Sequence, residues 1–174
     1  MHVIDMKTIP TDTTRITVHT DGACSGNPAP GGWAAIIIGW NGDAKSFRHE
    51  MSGGDEDPTT TNQQMELTAA IEALVWIKEQ NGFAVTTPIL IRSDSQYLVN
   101  GMNTWLPNWL TNGWKASDKG PVKNRSHWAS LDFLSGGMDI TWEWVRGHSG
   151  DPLNEAVDAL AKAAIPKRPR RHAA

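Results

Sequence analysis

The order of strand-type and helix-type segments along the chain is the feature that most constrains its fold. Three strand-type segments come first, and the sequence NGD at Asn41–Asp43 predicts a tight hairpin between the second and the third. After a long helical segment, strands and helices alternate. The predicted order is β-β-β-α-β-α-α-β-α. It implies an α/β protein in which a mixed five-stranded sheet carries helices on both faces.

The predicted segments have recognisable ends. The predicted strands cover residues 15–20, 33–40, 44–51, 88–94 and 138–145, and the predicted helices cover residues 63–82, 95–102, 125–137 and 151–164. Residues 103–124 are interrupted by Pro107, Gly113 and the Gly120–Pro121 pair, so we expect a short helix followed by a loop there. Asp151 is placed to cap the last helix, with Pro152 at its first position.

The composition is typical of a globular intracellular protein. Hydrophobic residues make up 39% of the chain and charged residues 20%, which excludes a disordered protein. No apolar run approaches the ~18 residues that a membrane-spanning helix needs, and residues 1–14 lack the apolar stretch of a secretory signal. Cys24 is the only cysteine, which excludes an internal disulfide and a cysteine-rich zinc site. We therefore expect a cytoplasmic protein without membrane contact.

The net charge of −3 conceals a basic C-terminal tail. Four Lys and Arg side chains lie in residues 166–174, so the rest of the chain has a net charge of −7. We expect one folded domain at 14–165, preceded by a loosely ordered segment at 1–13. The tail either adds attraction to phosphate or is a solvated end. An acidic body that binds nucleic acid needs local basic patches and cations, so we expect its acidic side chains to be concentrated at a metal site.

Two aspartates follow strand-type segments. Asp21 comes after RITVHT, within the stretch TDGACSGNP, and Asp94 comes after ILIRS. If the first and fourth strands are parallel neighbours, both carboxylates emerge at the same carboxyl edge of the sheet, where open α/β sheets bind ligands. Taken alone, each aspartate is explained by an ordinary turn. The alternative is a site at which the small residues after Asp21 let a bulky ligand approach.

Two further carboxylates lie toward the apolar faces of helices. Glu66 shares a stripe with Ala70 and Ala73, and Asp158 lies beside Val157 at the apolar boundary of the last helix. A glutamate early in a helix often only complements the helix dipole. Four carboxylates at one partly buried site, however, repel one another unless a cation neutralises them. Oxygen ligands without cysteine favour Mg²⁺ or Mn²⁺ over zinc.

Five motifs resemble, in the correct order, the landmarks of type 1 ribonuclease H (ribonuclease HI). They are TDGACSGNPAPGGWAAII, TTTNQQMELTAAIEAL, IRSDSQYLVNGM, NGWKASDKGPVKN and WEWVRGHSGDPLNEAVDALA. The resemblance runs from about Arg15 to Ala164. It implies the ribonuclease H-like fold, with 14–165 as the catalytic domain. It also implies an endonuclease that hydrolyses the RNA strand of RNA–DNA hybrids and leaves 5′-phosphate and 3′-hydroxyl ends.

The resemblance implies a two-metal mechanism. The family's metal-binding carboxylates correspond to Asp21, Glu66, Asp94 and Asp158, which would hold two Mg²⁺ ions, with Mn²⁺ able to substitute. Asp21 would bridge both ions, and Asp158 would help to hold the ion that activates water. Glu66 and Asp94 would hold the ion at the leaving 3′ oxygen. His148, in RGHSGD, is implied as an accessory proton carrier, although a histidine in such a loop is more often only solvated.

The resemblance also implies residues that contact the hybrid. These are Cys24, Asn27, Asn62 and Gln96 in the minor groove, where the 2′-hydroxyl distinguishes RNA from DNA, Trp105, Trp109, Lys115, Lys119 and Lys123 on the DNA strand, and Thr61 and Asn124 at phosphates. Two tryptophans four residues apart share a helix face and are more often core. The sequence departs from the more basic family members at residues 110–112, where Leu-Thr-Asn stands in place of a Lys/Arg cluster. We therefore expect weak binding with a shallow salt dependence, on the order of three or four neutralised phosphates.

Two other functional classes remain open from the residues alone. A non-catalytic module that binds hybrids would not need four carboxylates and would be expected to carry more positive charge. An integrase or junction resolvase would share the converging acids but not the DGACSGNP and RGHSGDP segments. No partner protein is indicated, and we expect a monomer.

Overall fold

A computed structural model describes residues 8–167 of the protein. The predictions for residues 1–7, and for the tail from residue 168 onward, lie outside the described residues. The strands are Arg15–Cys24 (β1), Gly31–Asn41 (β2), Ala44–Asp55 (β3), Ile89–Ser93 (β4) and Ile140–Trp144 (β5). They form one sheet in the order β3-β2-β1-β4-β5, in which β1 is antiparallel to β2 and parallel to β4. The prediction of a mixed five-stranded sheet is confirmed.

The helices are Asn62–Glu79 (α1), Gln96–Asn100 (α2), Leu106–Asn112 (α3), Arg125–Ser135 (α4) and Pro152–Ala164 (α5). Three of them, α1, α2 and α5, begin at side-chain caps. Thr61 and Gln64 form a reciprocal capping box at the start of α1. Asp151 caps α5, with Pro152 at its first position, as predicted.

The sheet separates two hydrophobic cores, so helices cover both of its faces as predicted. On one face, Val18 and Ile91 belong to the core that α1 and α4 cover. On the other face, Ile36 of β2 packs with Val157 of α5. Consecutive residues of β2 point to opposite faces, which is why its run AAIII is apolar throughout.

The strand that carries Asp21 is longer than predicted. β1 continues to Cys24, which pairs with Gly31 of β2. The parallel pairing with β4, however, ends at Thr20 opposite Ser93. Asp21 and Asp94 are therefore the next residues after the last parallel pair, and they lie at the same edge of the sheet.

The third strand and the segment after α2 also differ from prediction. β3 extends through residues 52–55, which we expected to be loop, because they pair with β2 as far as Gly31. A π-helical turn, Gly101–Trp105, joins α2 to α3, so Pro107 does not interrupt the helical run. The hydrogen bond from the Leu106 N–H to the Gly101 carbonyl comes just before the proline.

The described part of the N-terminal segment packs onto the domain. Ile9 is buried in the main core, and its N–H donates to the Asn81 carbonyl at 2.9 Å. Loose order therefore does not extend to Ile9. Among the helices within residues 8–167, none has both the length and the apolar character needed to cross a membrane.

Candidate active site

Asp21 is the buried centre of a group of acidic residues. Its side chain is only 6% exposed, and its Oδ1 accepts a hydrogen bond from the Gly22 N–H at 2.8 Å. Burial raises the pKa of Asp21 to about 8, and the charge of Asp94 acts in the same direction, as do the charge of Asp158 and a hydrogen bond to it. The hydrogen bond from Gly22 opposes this shift. Strands β1 and β4 and helix α5 thus bring three carboxylates together.

Glu66 reaches the same edge because α1 packs tightly against β1. Gly22 lies against the backbone of Met65 and Glu66, and a Cβ atom at Gly22 would overlap it. A buried Ser95 hydroxyl donates to Glu66 Oε2 at 2.6 Å. Burial raises the pKa of Glu66, the Ser95 hydrogen bond lowers it, and the charge of Asp94 raises it. Gly22 of β1 is therefore required for helix packing, and the approach of a ligand past the small residues after Asp21 stays a prediction.

Asp158 lies on α5 and has a cationic neighbour. Lys162, one turn later, donates to Asp158 Oδ2 at 2.8 Å. This hydrogen bond and the charge of Asp158 raise the pKa of Lys162, with smaller contributions from Asp21 and Asp94. The ammonium group therefore offsets part of the negative charge at the sheet edge.

The donor set fits a hard divalent cation. It consists of carboxylate oxygens, with no thiolate in the group, which suits Mg²⁺ or Mn²⁺. Within residues 8–167, no group of three or more His, Cys, Asp or Glu side chains is already arranged to hold a metal ion. Each of three carboxylates instead accepts a hydrogen bond from the protein: Asp21 from Gly22, Glu66 from Ser95 and Asp158 from Lys162.

His148 lies on the loop that approaches Asp94. A Cβ atom on Gly147 would lie 3.0 Å from Asp94 Oδ2, so this loop passes directly over the carboxylate. His148 itself is exposed and has a left-handed backbone with φ 54°. The loop ends at Asp151, whose Oδ1 accepts hydrogen bonds from the first turn of α5.

The residues predicted to face the minor groove lie around the start of α1. The side chain of Asn62 accepts a hydrogen bond from the Cys24 N–H at 2.9 Å, and the Asn62 N–H donates to Asn27 Oδ1 at 3.2 Å. Gln96 is exposed at the first position of α2, two residues after Asp94. Hydrogen bonds thus join Cys24, Asn27 and Asn62, whereas Gln96 lies on a different helix.

All of the predicted DNA-strand residues except Lys119 line a groove of about 530 Å³. We call it the aromatic groove, and its lining includes Tyr97, Trp105, Trp109, Lys115 and Lys123. Both predicted tryptophans are half-buried and pack toward the fully buried Trp128, with ring centroids 6.5 and 5.5 Å away. They therefore contribute to the core and to the surface at once.

Of the remaining predicted contacts, Asn124 and Thr61 are linked by hydrogen bonds to Tyr97, which lines the aromatic groove. Asn124 donates to the Tyr97 hydroxyl at 3.1 Å and accepts from Gln64 at 3.2 Å, and Gln64 in turn caps α1 with Thr61. Lys119 is exposed in the loop before α4, with a left-handed φ of 64°.

Sequence reasoning missed two residues that contact the carboxylates. Ser95 directly follows Asp94 and caps α2, a pattern that the capping sequence itself could have revealed. Lys162 lies four residues after Asp158, at the spacing of a helical ion pair.

The comparisons with known proteins agree with this architecture. A sequence model described as RNase H matches residues 13–166. Ribonuclease HI of Pseudomonas aeruginosa is 43% identical over 160 residues, which cover 92% of this chain and 99% of that protein. Ribonuclease H of Maricaulis maris is 47% identical over 150 residues, which cover 86% of this chain and 93% of that protein.

Among solved structures, the chain resembles that of LC9-RNase H1, described as a type 1 RNase H with the type 2 active-site motif. The TM-score is 0.76 at 29% identity, and the match covers 88% of this chain and 72% of that chain. Sequence and fold thus agree over nearly the whole described region, and the chain belongs to the ribonuclease H family of nucleases.

Proposed function

We propose that the protein hydrolyses the RNA strand of RNA–DNA hybrids with the help of two divalent ions, and leaves 5′-phosphate and 3′-hydroxyl ends. The observation that carries this proposal is the convergence of Asp94 and Asp158 on the buried Asp21, with a pKa of about 8. Such a concentration of negative charge is costly unless a cation binds there. Family membership favours the same reaction.

The four carboxylates would hold Mg²⁺, with Mn²⁺ able to substitute. When bound, two such ions would activate water and stabilise the charge on the phosphate and on the leaving oxygen. Asp21 would serve both ions because it interacts with carboxylates on each side of it. Ser95 holds Glu66 beside Asp94, which supports assigning that pair to the leaving-group side. Asp158 would then serve the water side.

His148 would carry protons at the edge of the site. It is exposed on the loop that passes over Asp94, so it is able to exchange protons with solvent. Its role is to increase the rate or to help product release, while the carboxylates carry the essential chemistry.

The hybrid would lie across the start of α1 and along the aromatic groove. Cys24, Asn27, Asn62 and Gln96 would meet the minor groove, where an RNA strand displays its 2′-hydroxyls. Trp105, Trp109, Lys115, Lys119 and Lys123 would contact the DNA strand, with Thr61 and Asn124 at phosphates. Short side chains near Asp21 support this placement.

A cleavage assay on end-labelled duplexes tests the proposal. An RNA–DNA hybrid, double-stranded DNA and double-stranded RNA are incubated with Mg²⁺ or with chelator. We expect metal-dependent cleavage of the RNA strand of the hybrid alone, and products whose 5′ ends carry phosphate. Retention of the hybrid without cleavage would instead support a binding module. Cleavage of double-stranded DNA would support a nuclease of the integrase or resolvase type.

The location and assembly of the enzyme are also proposals. We infer a cytoplasmic monomer in which residues 14–165 are the catalytic domain, and the family match over residues 13–166 supports the bounds of that domain. Light scattering on the purified chain tests the monomeric state, because a dimer would double the measured mass.

A further inference from the structure

We propose that Arg125 binds a phosphate of the DNA strand, so that α4 supplies a contact that the loop before it lacks. This inference rests on the proposed function, because it assumes that a hybrid occupies the aromatic groove. It concerns a residue outside the motif positions carried over from the family.

The wall of the aromatic groove has few cations. Of residues 110–112, only the neutral Asn112 lines it, and Leu110, which is 47% exposed, lies outside it. Asn112 is engaged with the backbone of Lys115 through two hydrogen bonds of 3.0 Å, so it stabilises the loop. Lys115 and Lys123 are the cations that line the groove within the described residues. These two lysines would neutralise only part of the charge of a polyanionic strand.

Trp114 has an unusual backbone conformation, and its ring contacts both Trp109 and Arg125. It is a bulky residue with a left-handed φ of 62°, a conformation that is costly for such a side chain and often found at functional sites. Its N–H donates to the Trp109 carbonyl at 2.9 Å, and its ring stacks on Trp109 at 6.2 Å. The guanidinium carbon of Arg125 lies 5.1 Å from the centroid of the Trp114 ring. Trp114 thus connects Arg125 to the groove.

The start of α4 is anchored, which gives Arg125 a defined position. Asn124 has a left-handed φ of 58°, and its side chain is fixed between Tyr97 and Gln64. Arg125 is the next residue and opens α4. Its side chain is therefore directed by a rigid neighbour that is itself a proposed phosphate contact.

The Arg125 guanidinium is free to bind an anion. The ion pairs formed within residues 8–167 do not include it. Contact with the face of an aromatic ring leaves the N–H donors at the edge of the guanidinium plane available, and these donors match phosphate oxygens in pairs. The exposed side chain, the aromatic support and the nearby groove together favour a strand phosphate as the ligand.

The first test compares Arg125→Ala and Arg125→Lys with Lys78→Ala. Lys78 is a matched control because it is also exposed and also lies over an aromatic ring, 5.6 Å from Phe133 on the far part of the α1–α4 pair. We expect Arg125→Ala to weaken hybrid binding at least about threefold and to reduce the slope of log K against log salt by about 1. Arg125→Lys should keep the slope and lose part of the affinity. Lys78→Ala should match the wild type.

The second test identifies the strand. Single neutral methylphosphonate linkages are placed along the DNA strand or the RNA strand of the hybrid. We expect one DNA-strand position at which the neutral linkage weakens the wild type but not Arg125→Ala. Equal slopes for Arg125→Ala and Lys78→Ala, or an effect confined to RNA-strand linkages, would overturn the proposal. If the wild type cleaves the hybrid in the same samples, a negative result concerns Arg125 and not the proposed function. An unchanged kcat of Arg125→Ala at saturating hybrid would place Arg125 outside the chemistry.

Discussion

The acidic sheet edge, formed by Asp21, Glu66, Asp94 and Asp158, and the aromatic groove lie at the two ends of one helical run. They differ in how their side chains affect stability. At the sheet edge, carboxylates are gathered despite their repulsion, and the pKa of Asp21 rises to about 8. In the groove, tryptophans pack against each other and against Trp128, and the unusual feature is backbone conformation at Trp114. The run from α2 through the π-helical turn to α3 joins the two regions. The acidic sheet edge is therefore unfavourable until a cation binds, whereas the packed tryptophans of the aromatic groove are stable without a ligand.

The largest expected effect comes from removing the central carboxylate. Asp21→Asn should reduce hybrid cleavage by a factor of at least about 10³, because a neutral amide cannot neutralise and share divalent ions. Steady-state cleavage with Mg²⁺ measures this. Asp139→Asn is the control, since Asp139 is exposed and lies outside the acidic edge. Retention of activity in Asp21→Asn near the wild-type level would remove Asp21 from the chemistry.

The same substitution should stabilise the metal-free protein. A carboxyl whose pKa is raised from 3.8 to about 8 is protonated in both states below pH 3.8; as pH rises toward 8, the unfolded chain gives up its proton first and the folded state loses stability. Asp21→Asn removes this cost, so its Tm in chelator should exceed that of the wild type by roughly 5–10 °C near pH 8. The difference should vanish near pH 4. A lower Tm for the variant at pH 8 would mean that the carboxylates are not crowded.

A pair of tryptophan substitutions should separate core from surface in the groove. Trp128→Ala should cost about 3–5 kcal/mol of unfolding free energy, because the ring is fully buried. Trp109→Ala should cost less stability and weaken hybrid binding on the order of tenfold, because its half-buried ring also forms the groove surface. Urea denaturation and hybrid titration measure the two effects. If Trp109→Ala lost as much stability as Trp128→Ala and still bound the hybrid normally, Trp109 would be a core residue only.

His148→Ala should have a smaller effect on catalysis than any carboxylate substitution. We expect kcat to fall by about 10- to 100-fold, with little change in Tm, because the side chain is exposed. A loss as large as that of Asp21→Asn would place His148 in the essential machinery.

Deletion of residues 168–174 should give the smallest effect. If the tail is a solvated end, the salt dependence of hybrid binding should keep a slope that corresponds to about three or four phosphates. Titration of both forms against salt measures it. A clearly shallower slope in the truncated protein would show that the tail contacts phosphate.

Much of the fold follows from local patterns, and the sheet edge follows from the fold. The argument from the sequence assumed that the first and fourth strands are parallel neighbours, and the observed pairing of β1 with β4 meets this condition, with Asp21 and Asp94 directly after the last pair. The predicted ends of β1 and β3 were less accurate. Residues 22–24 and 52–55 are rich in glycine and small residues, so their strand conformation depends on pairing with β2, which local propensity does not reveal.

The groove was harder to predict because its contacts are tertiary. Pro107 predicted a break, and a π-helical turn accommodates it instead, with Gly101 packed against the ring of Trp128. The spacing of Trp105 and Trp109 correctly placed both on one helix face but did not reveal that each would be half-buried. The proximity of Arg125 to Trp114 depends on backbone conformations at Gly113 and Asn124 that no periodicity encodes.

Anomalous diffraction from crystals grown with Mn²⁺ tests the central account most directly. We expect Mn²⁺ peaks bounded by Asp21 together with Asp94, Glu66 or Asp158, and their loss in Asp21→Asn crystals treated in the same way. If the enzyme cleaves hybrids with Mn²⁺ but its crystals show no ion beside Asp21, the account is contradicted.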